Sequence, residues 1–274
     1  MQTIIDFFEG IPAILGAFVA TSFTWFITAL GAALVFFFKE IRRAVLDGML
    51  GFTGGIMVAA SVWSLLIPSI DQAERSFPSM PWMPAAVGFI TGALFIYILD
   101  KKLPHLHINF QENETEGVST NLHQSTLLML AITLHNIPEG LAIGVAFGAA
   151  AQGIDGFTIA SAVTLAIGIG IQNFPEGFAI AMPLRRAGAT KWKSFWYGQL
   201  SAVVEPIAGI IGALAVTQMA AILPFALSFA AGAMMFVVVE EVIPETQRDK
   251  YTDLAVLGFI AGFTVMMVLD VGLG

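Results

Sequence analysis

Two short stretches carry side chains able to do chemistry where the surrounding residues cannot. Thr133–Gly144 reads TLHNIPEGLAIG, and Gly170–Ala181 reads GIQNFPEGFAIA. His135, Asn136 and Glu139 stand in the first, Gln172, Asn173 and Glu176 in the second, each set inside an apolar run. An ionisable side chain at mid-membrane costs about 2.5–3.5 kcal/mol even on insertion scales, so it requires a partner. His135 and Glu139 are four apart and share one helix face, and Gln172 and Glu176 repeat that spacing. Imidazole nitrogen and carboxylate oxygen together suit zinc and its divalent neighbours. Pro138 and Pro175 each precede the glutamate. A proline inside a helix removes one backbone hydrogen bond and frees the carbonyl four residues back, here those of Leu134 and Ile171. Gly140 and Gly177 follow and permit close helix approach. One proline with a stray polar residue is ordinary in a membrane helix, but two copies of N-x-P-E-G argue for a built site.

The elements that must hold these residues are long and apolar. Of 274 residues, 57% are hydrophobic and 12% charged, and mean hydropathy is +0.83. Soluble domains carry about 25% charged residues, which excludes a water-soluble fold. Eight apolar runs of spanning length are expected, roughly at 11–38, 44–68, 83–99, 124–148, 156–181, 194–216, 220–243 and 252–272. Barrel strands would instead be short and alternating. The fold class predicted is an all-α membrane protein, an eight-helix transmembrane bundle forming one domain over 1–274. The first run lacks a positive leading segment and reads as a span, not as a cleaved signal peptide. With no cysteine, disulfides and thiolate ligands are excluded.

Positive charge orients the spans. Lys39, Arg42, Arg43, Lys101, Lys102, Arg185, Arg186, Lys191, Lys193, Arg248 and Lys250 fall in alternate connections, and only Arg75 falls in the other set. Both termini are therefore expected outside the cytoplasm. The one long connection, 101–123, is polar and cytoplasmic, with no separate soluble domain. Runs 4 and 5 point in opposite directions, so their packing brings the two motifs together near the midplane. The result is a pocket of two carboxylates, an imidazole and amide oxygens. Like motifs on oppositely directed helices also match the inverted repeats of transporters, whose sites lie at the repeat interface. Glu205, in SAVVEPIAG of run 6, is a further carboxylate in an apolar helix, again before a proline.

H-N-x-P-E-G followed by Q-N-F-P-E-G, with eight runs, outside termini and a histidine-bearing third connection, resembles the ZIP (Zrt/Irt-like) family of divalent-metal transporters. The likeness covers nearly the whole chain. GFTGGIMVAASVWSLLIPSI in run 2 and FAAGAMMFVVVEEVIPE in run 7 look closest to its short bacterial members. The resemblance implies one metal position using Met57, His135, Glu139, Gln172 and Glu176. It implies a neighbouring position using Asn136, Asn173 and Glu205, with Glu139 and Glu176 bridging. It also implies alternating access, with helices 1, 4, 5 and 6 moving against 2, 3, 7 and 8, and a homodimer. Many members carry histidine where Gln172 stands, and some carry aspartate where Asn173 stands. Two dications bring +4 against at most −3 from Glu139, Glu176 and Glu205. The first position alone balances, and the expected second position is weaker. Met57 taken by itself is a packing residue.

Other polar residues weigh less. His105, His107 and His123, with Glu112, Glu114 and Glu116, could collect metal on the cytoplasmic side, but a solvated linker explains them as well. Asp100 reads as a helix-end charge. Glu240, Glu241 and Glu245 read as the polar end of run 7, where the resemblance implies a metal exit route. Asp71 and Glu74 read as exposed acids, and Trp25, Trp63, Trp192 and Trp196 as interfacial anchors or packing.

The function expected is a carrier of divalent cations, zinc first, with Cd2+, Fe2+ and Mn2+ also compatible, in a bacterial inner membrane and moving metal into the cytoplasm. A proton or other cation pathway on the same carboxylates is the alternative. An intramembrane metalloprotease would need H-E-x-x-H, and ATP coupling a G-x-x-x-x-G-K-[ST] loop. Neither occurs. No enzyme activity and no nucleic-acid partner are expected; the partners are metal ions and the lipid bilayer.

Overall fold

The structure is a computed structural model describing residues 1–38, 41–104, 124–154, 156–186, 188–248 and 250–273. Among these every regular element is helical. A short helix α1 (Gln2–Glu9) leads into α2 (Ala13–Ala33), which ends in a 3-10 turn at Leu34–Phe36. Next come α3 (Arg43–Ala60), a π-helical turn at Ser61–Leu66 and α4 (Ile67–Ser76), then α5 (Trp82–Lys102). The motif helices are α6 (Gln124–Ala151) and α7 (Ile159–Arg186). They are followed by α8 (Lys191–Leu200), α9 (Val204–Gln218), α10 (Leu223–Val237), a second π-helical turn at Val238–Val242, α11 (Ile243–Thr246) and α12 (Thr252–Leu273).

Among the described residues six stretches are long and apolar enough to cross a membrane: Ala13–Phe36, Arg43–Ser76, Trp82–Lys102, Lys191–Gln218, Ala220–Thr246 and Thr252–Leu273. The two remaining long helices, α6 and α7, are 28 residues each and carry the polar motifs. The second span runs to Ser76, past the expected end at 68. Pro68 falls at the start of α4, directly after the π turn, where a missing N–H costs little. Asp71 and Glu74 are thus exposed on helix rather than in a loop. The expected sixth run is two helices, broken at 201–203.

Four helix pairs build the bundle: α2 with α7, α6 with α9, α3 with α12 and α5 with α10. In each, glycine brings the backbones together. Gly51 and Gly55 of α3 face Ala255 and Phe259 of α12; Gly140 and Gly144 of α6 face Glu205 and Gly209 of α9. The residue numbers rise together across these contacts, so the pairs are parallel. With little hydrophobic drive between helices in lipid, close packing over small residues is what holds them.

The pairing has an internal symmetry. Exchanging α2 with α9, α3 with α10, α5 with α12 and α6 with α7 maps the four pairs onto one another. It also maps the α3–α7 contact onto α6–α10. Both π turns obey it, each leading into an Ile-Pro step, Ile67-Pro68 and Ile243-Pro244. The helices exchanged at the centre are α6 and α7. Residues 162–184 of α7 are almost wholly buried, whereas α12 buries only Ala255, Gly262 and Met266 and turns its large apolar side chains outward. At one end of the bundle Arg43 of α3 reaches Glu245 of α11 at 2.7 Å, and Lys191 of α8 donates to the Phe36 carbonyl at 3.0 Å.

Candidate metal centre

Both motif helices continue through their prolines, Pro138 in α6 and Pro175 in α7. Gln172 of α7 donates its amide to Glu139 Oε1 of α6 at 2.6 Å. One ligand atom from each of His135, Glu139 and Glu176 lies within 4.8 Å of the others. As α6 runs from 135 to 139, the facing residues of α7 run from 176 to 172, so the two cross in opposite directions. Glu139 is 0% exposed, and His135 and Glu176 are 4% exposed.

The atoms left without protein partners say what the cluster lacks. His135 Nε2, both amide atoms of Asn136, Glu139 Oε2, Gln172 Oε1, Asn173 Oδ1 and both oxygens of Glu176 are buried and make no hydrogen bond. All but the Asn136 amide nitrogen can act as electron-pair donors. Buried polar groups are almost always satisfied, and buried charges are paired or coordinate metals. The imidazole nitrogen and carboxylate and amide oxygens among these atoms are of the kind that a dication takes. Ligands about 2.1 Å from a tetrahedral zinc stand about 3.4 Å apart, so the 4.8 Å bound closes with a shift of roughly 1 Å.

Glu205 stands beside this cluster at the start of α9, just past the break. Its Oε1 accepts from Asn173 Nδ2 at 2.8 Å, and its Oε2 accepts from the Thr24 hydroxyl of α2. Gly140, one residue after Glu139, packs directly on the Glu205 backbone. Met57 is fully buried on α3. One turn earlier, Thr53 donates to the Gln172 carbonyl at 3.4 Å. Residues four apart share a face, so the face of α3 that bears Met57 is turned toward the second motif.

Three residues of the surroundings make contacts that the sequence alone does not specify. Glu241, in the π turn after α10, lies 3.5 Å from His135 Nδ1, so this acid borders the cluster; the signal was a charged pair in an apolar run. Thr24 carried no signal, because a threonine in a membrane helix commonly bonds its own backbone. Trp25, expected at an interface or in packing, donates its indole N–H to the Gln199 carbonyl and side chain at 2.9 and 3.0 Å. Glu245 is paired with Arg43, which also holds Asp47 at 2.7 Å. Asp100 is buried and lies 3.4 Å from Lys101. His105, His107, His123, Glu112, Glu114, Glu116 and Lys39 lie outside the described residues.

The family model "ZIP Zinc transporter" matches residues 110–270. Zinc transporter ZIP11 of Homo sapiens is 42% identical over 97% of the chain and 99% of its own length. Zinc transporter GufA of Myxococcus xanthus is 34% identical over 90% of the chain and 94% of its own length. Zinc transporter ZIPB of Bordetella bronchiseptica is 38% identical over 90% of the chain and 78% of its own length. The ZIP11 alignment spans 341 positions, more than the chain contains, so that relative carries insertions, whereas the GufA alignment of 249 positions is nearly free of them. A profile over more than half the chain and a 42% identical relative along almost all of it make the conclusion plain: this multi-pass membrane protein belongs to the ZIP zinc transporter family.

Proposed function

We propose that the chain carries Zn2+ across a membrane, binding it between α6 and α7 and releasing it by alternating access. The observation that carries this reading is the buried cluster of His135, Glu139 and Glu176, converging within 4.8 Å with most of its donor atoms unpartnered. The relatives' names as zinc transporters select the ion. Cd2+, Fe2+ and Mn2+ fit the same nitrogen and oxygen ligands. The near gap-free match to GufA favours placing the chain beside the short bacterial members.

In this reading His135, Glu139, Gln172, Glu176 and Met57 form the first position, and Asn136, Asn173 and Glu205 form the second, with both motif glutamates bridging. One dication against Glu139 and Glu176 is neutral; a second ion adds two charges against Glu205 alone. The second step is therefore the weaker. Binding must also be reversible, and carboxylate and amide ligation releases an ion more readily than a closed thiolate cage.

Eight spans are proposed, with α6 and α7 crossing as well as the six apolar stretches. At 1.5 Å per residue, 28 residues reach about 42 Å, beyond the ~30 Å hydrocarbon core. The bias of basic residues then places both termini outside the cytoplasm. The extensive packing of α2, α6, α7 and α9 on one another, and of α3 on α12 and α5 on α10, supports two bodies sliding past each other.

The experiment is reconstitution in vesicles loaded with a zinc-sensitive dye. Wild type gives zinc-dependent fluorescence, and Glu176→Gln abolishes it while the protein stays folded. Flux that persists in Glu176→Gln, or proton flux that survives strict chelation, refutes the reading.

A further inference from the structure

Glu205 is held by a device outside the motif helices. α8 and α9 are separated by a break at 201–203, and α9 begins one residue before Glu205. Two consecutive residues of α2 bind both sides of that break. Trp25 donates to the Gln199 carbonyl and side chain on the α8 side; Thr24 donates to Glu205 Oε2 on the α9 side. Thr24 is 0% exposed, so no water competes for its hydroxyl. The Thr21 carbonyl is also within reach at 2.9 Å, but a hydroxyl has one proton, and the charged acceptor makes the stronger bond.

The bonding continues through Glu205. A carboxylate only accepts, so the Asn173 amide must present its nitrogen to Glu205 Oε1, at 2.8 Å. That fixes the amide plane and directs Oδ1 the opposite way, where it has no hydrogen-bond partner. Thr24 thereby orients Glu205, and Glu205 orients Asn173.

We propose that Thr24 is a positioning residue of the metal centre, fixing Glu205 and, through it, the Asn173 carbonyl oxygen as ligands of the second metal position. This rests on the two-position reading above. It gives α2 a part in metal selection although α2 contributes no ligand. Freed from the Thr24 hydroxyl, the Glu205 carboxylate can rotate, and the Asn173 amide, left with its long 3.4 Å bond to the Thr24 carbonyl, is held less firmly. The first position, built from α6 and α7 with Met57 of α3, keeps its ligands.

The test is zinc titration of the full chain in lipid nanodiscs, with bound metal counted by mass spectrometry. Thr24→Val keeps shape and loses the hydroxyl, and Thr24→Ala serves if valine does not fold. The weaker zinc constant is expected to rise about tenfold, equivalent to ~1.4 kcal/mol, while the tighter one stays within twofold. Thr24→Ser is expected to restore it, and Thr24→Val is expected to add nothing in a Glu205→Gln background. If Glu205→Gln weakens the second step and Thr24→Val does not, the positioning role is overturned alone. Equal loss in Thr24→Val and Thr24→Ser overturns it too, since the hydroxyl is then not the cause. If Glu205→Gln leaves both constants unchanged, the two-position reading falls and takes the positioning role with it.

Discussion

Gly177 follows Glu176 at a point where α7 packs directly on the backbone of α2. A Cβ at Gly177 would meet the Thr28 carbonyl oxygen in hard overlap, with the carbonyl carbon at 2.8 Å and the Ala32 nitrogen at 3.0 Å. These are backbone atoms and cannot turn aside. Moving the carbonyl carbon alone to the 3.4 Å of ordinary contact parts the helices by about 0.6 Å. Gly177→Ala should therefore cost about 1–3 kcal/mol, the usual range for overpacking, despite the better helix propensity of alanine. In a chain of this size that lowers the melting temperature by roughly 2–10 °C. The same displacement shifts Glu176 against His135 and Glu139. Metal sites tolerate only about ±0.2 Å in ligand distance, so zinc binding should weaken with it. Loss of ligand support commonly costs about 10–100-fold in affinity. The assay pairs fluorescence-detected thermal unfolding in detergent with zinc titration. Gly272→Ala is the control, because a Cβ there meets nothing within 4 Å. A Gly177→Ala protein that melts like Gly272→Ala and binds zinc like wild type would show that this contact does not set the site.

Glu241→Gln removes the acid 3.5 Å from His135 Nδ1 and should weaken zinc binding about 10–100-fold, the range for groups that orient a ligating histidine; calorimetric titration reads it. In the two-position reading Glu139 bridges both ions, so Glu139→Gln should abolish the second zinc equivalent before the first, as counted by mass spectrometry. Glu245→Ala strips one carboxylate from half-buried Arg43, leaving Asp47 and the residue-245 carbonyl, and should destabilise by about 1–3 kcal/mol in thermal unfolding without changing zinc affinity. Trp25→Phe deletes the N–H bonded to Gln199 and should cost about 0.5–1.5 kcal/mol, with a smaller loss than Gly177→Ala in the same assay.

Much of the centre is readable along one helix at a time. A repeated N-x-P-E-G within apolar runs announces itself, because a charge in lipid is costly and an i, i+4 pair shares a face. His135, Glu139, Gln172 and Glu176 were found that way, and α6 and α7 bring them together. Runs of spanning length likewise gave the all-helical class. Positions that depend on a break or a change of helical period were not readable. The interruption at 201–203 and both π turns lie just before a proline, Pro206, Pro68 and Pro244, whose missing N–H disturbs the preceding turn, but the linear pattern does not say whether the helix then breaks, as at 201–203, or carries on, as to Ser76.

Composition and spacing thus dictated the medium, the helices and the ligand chemistry, since hydropathy and periodicity act within one segment. The tertiary structure alone decided which distant residues complete the site. Thr24 lies 181 residues from Glu205. Glu241 meets His135 only because α10 packs on α6. Parallel glycine contacts set how the helices fit, and that fit determines which hydroxyl or carboxylate faces a buried charge.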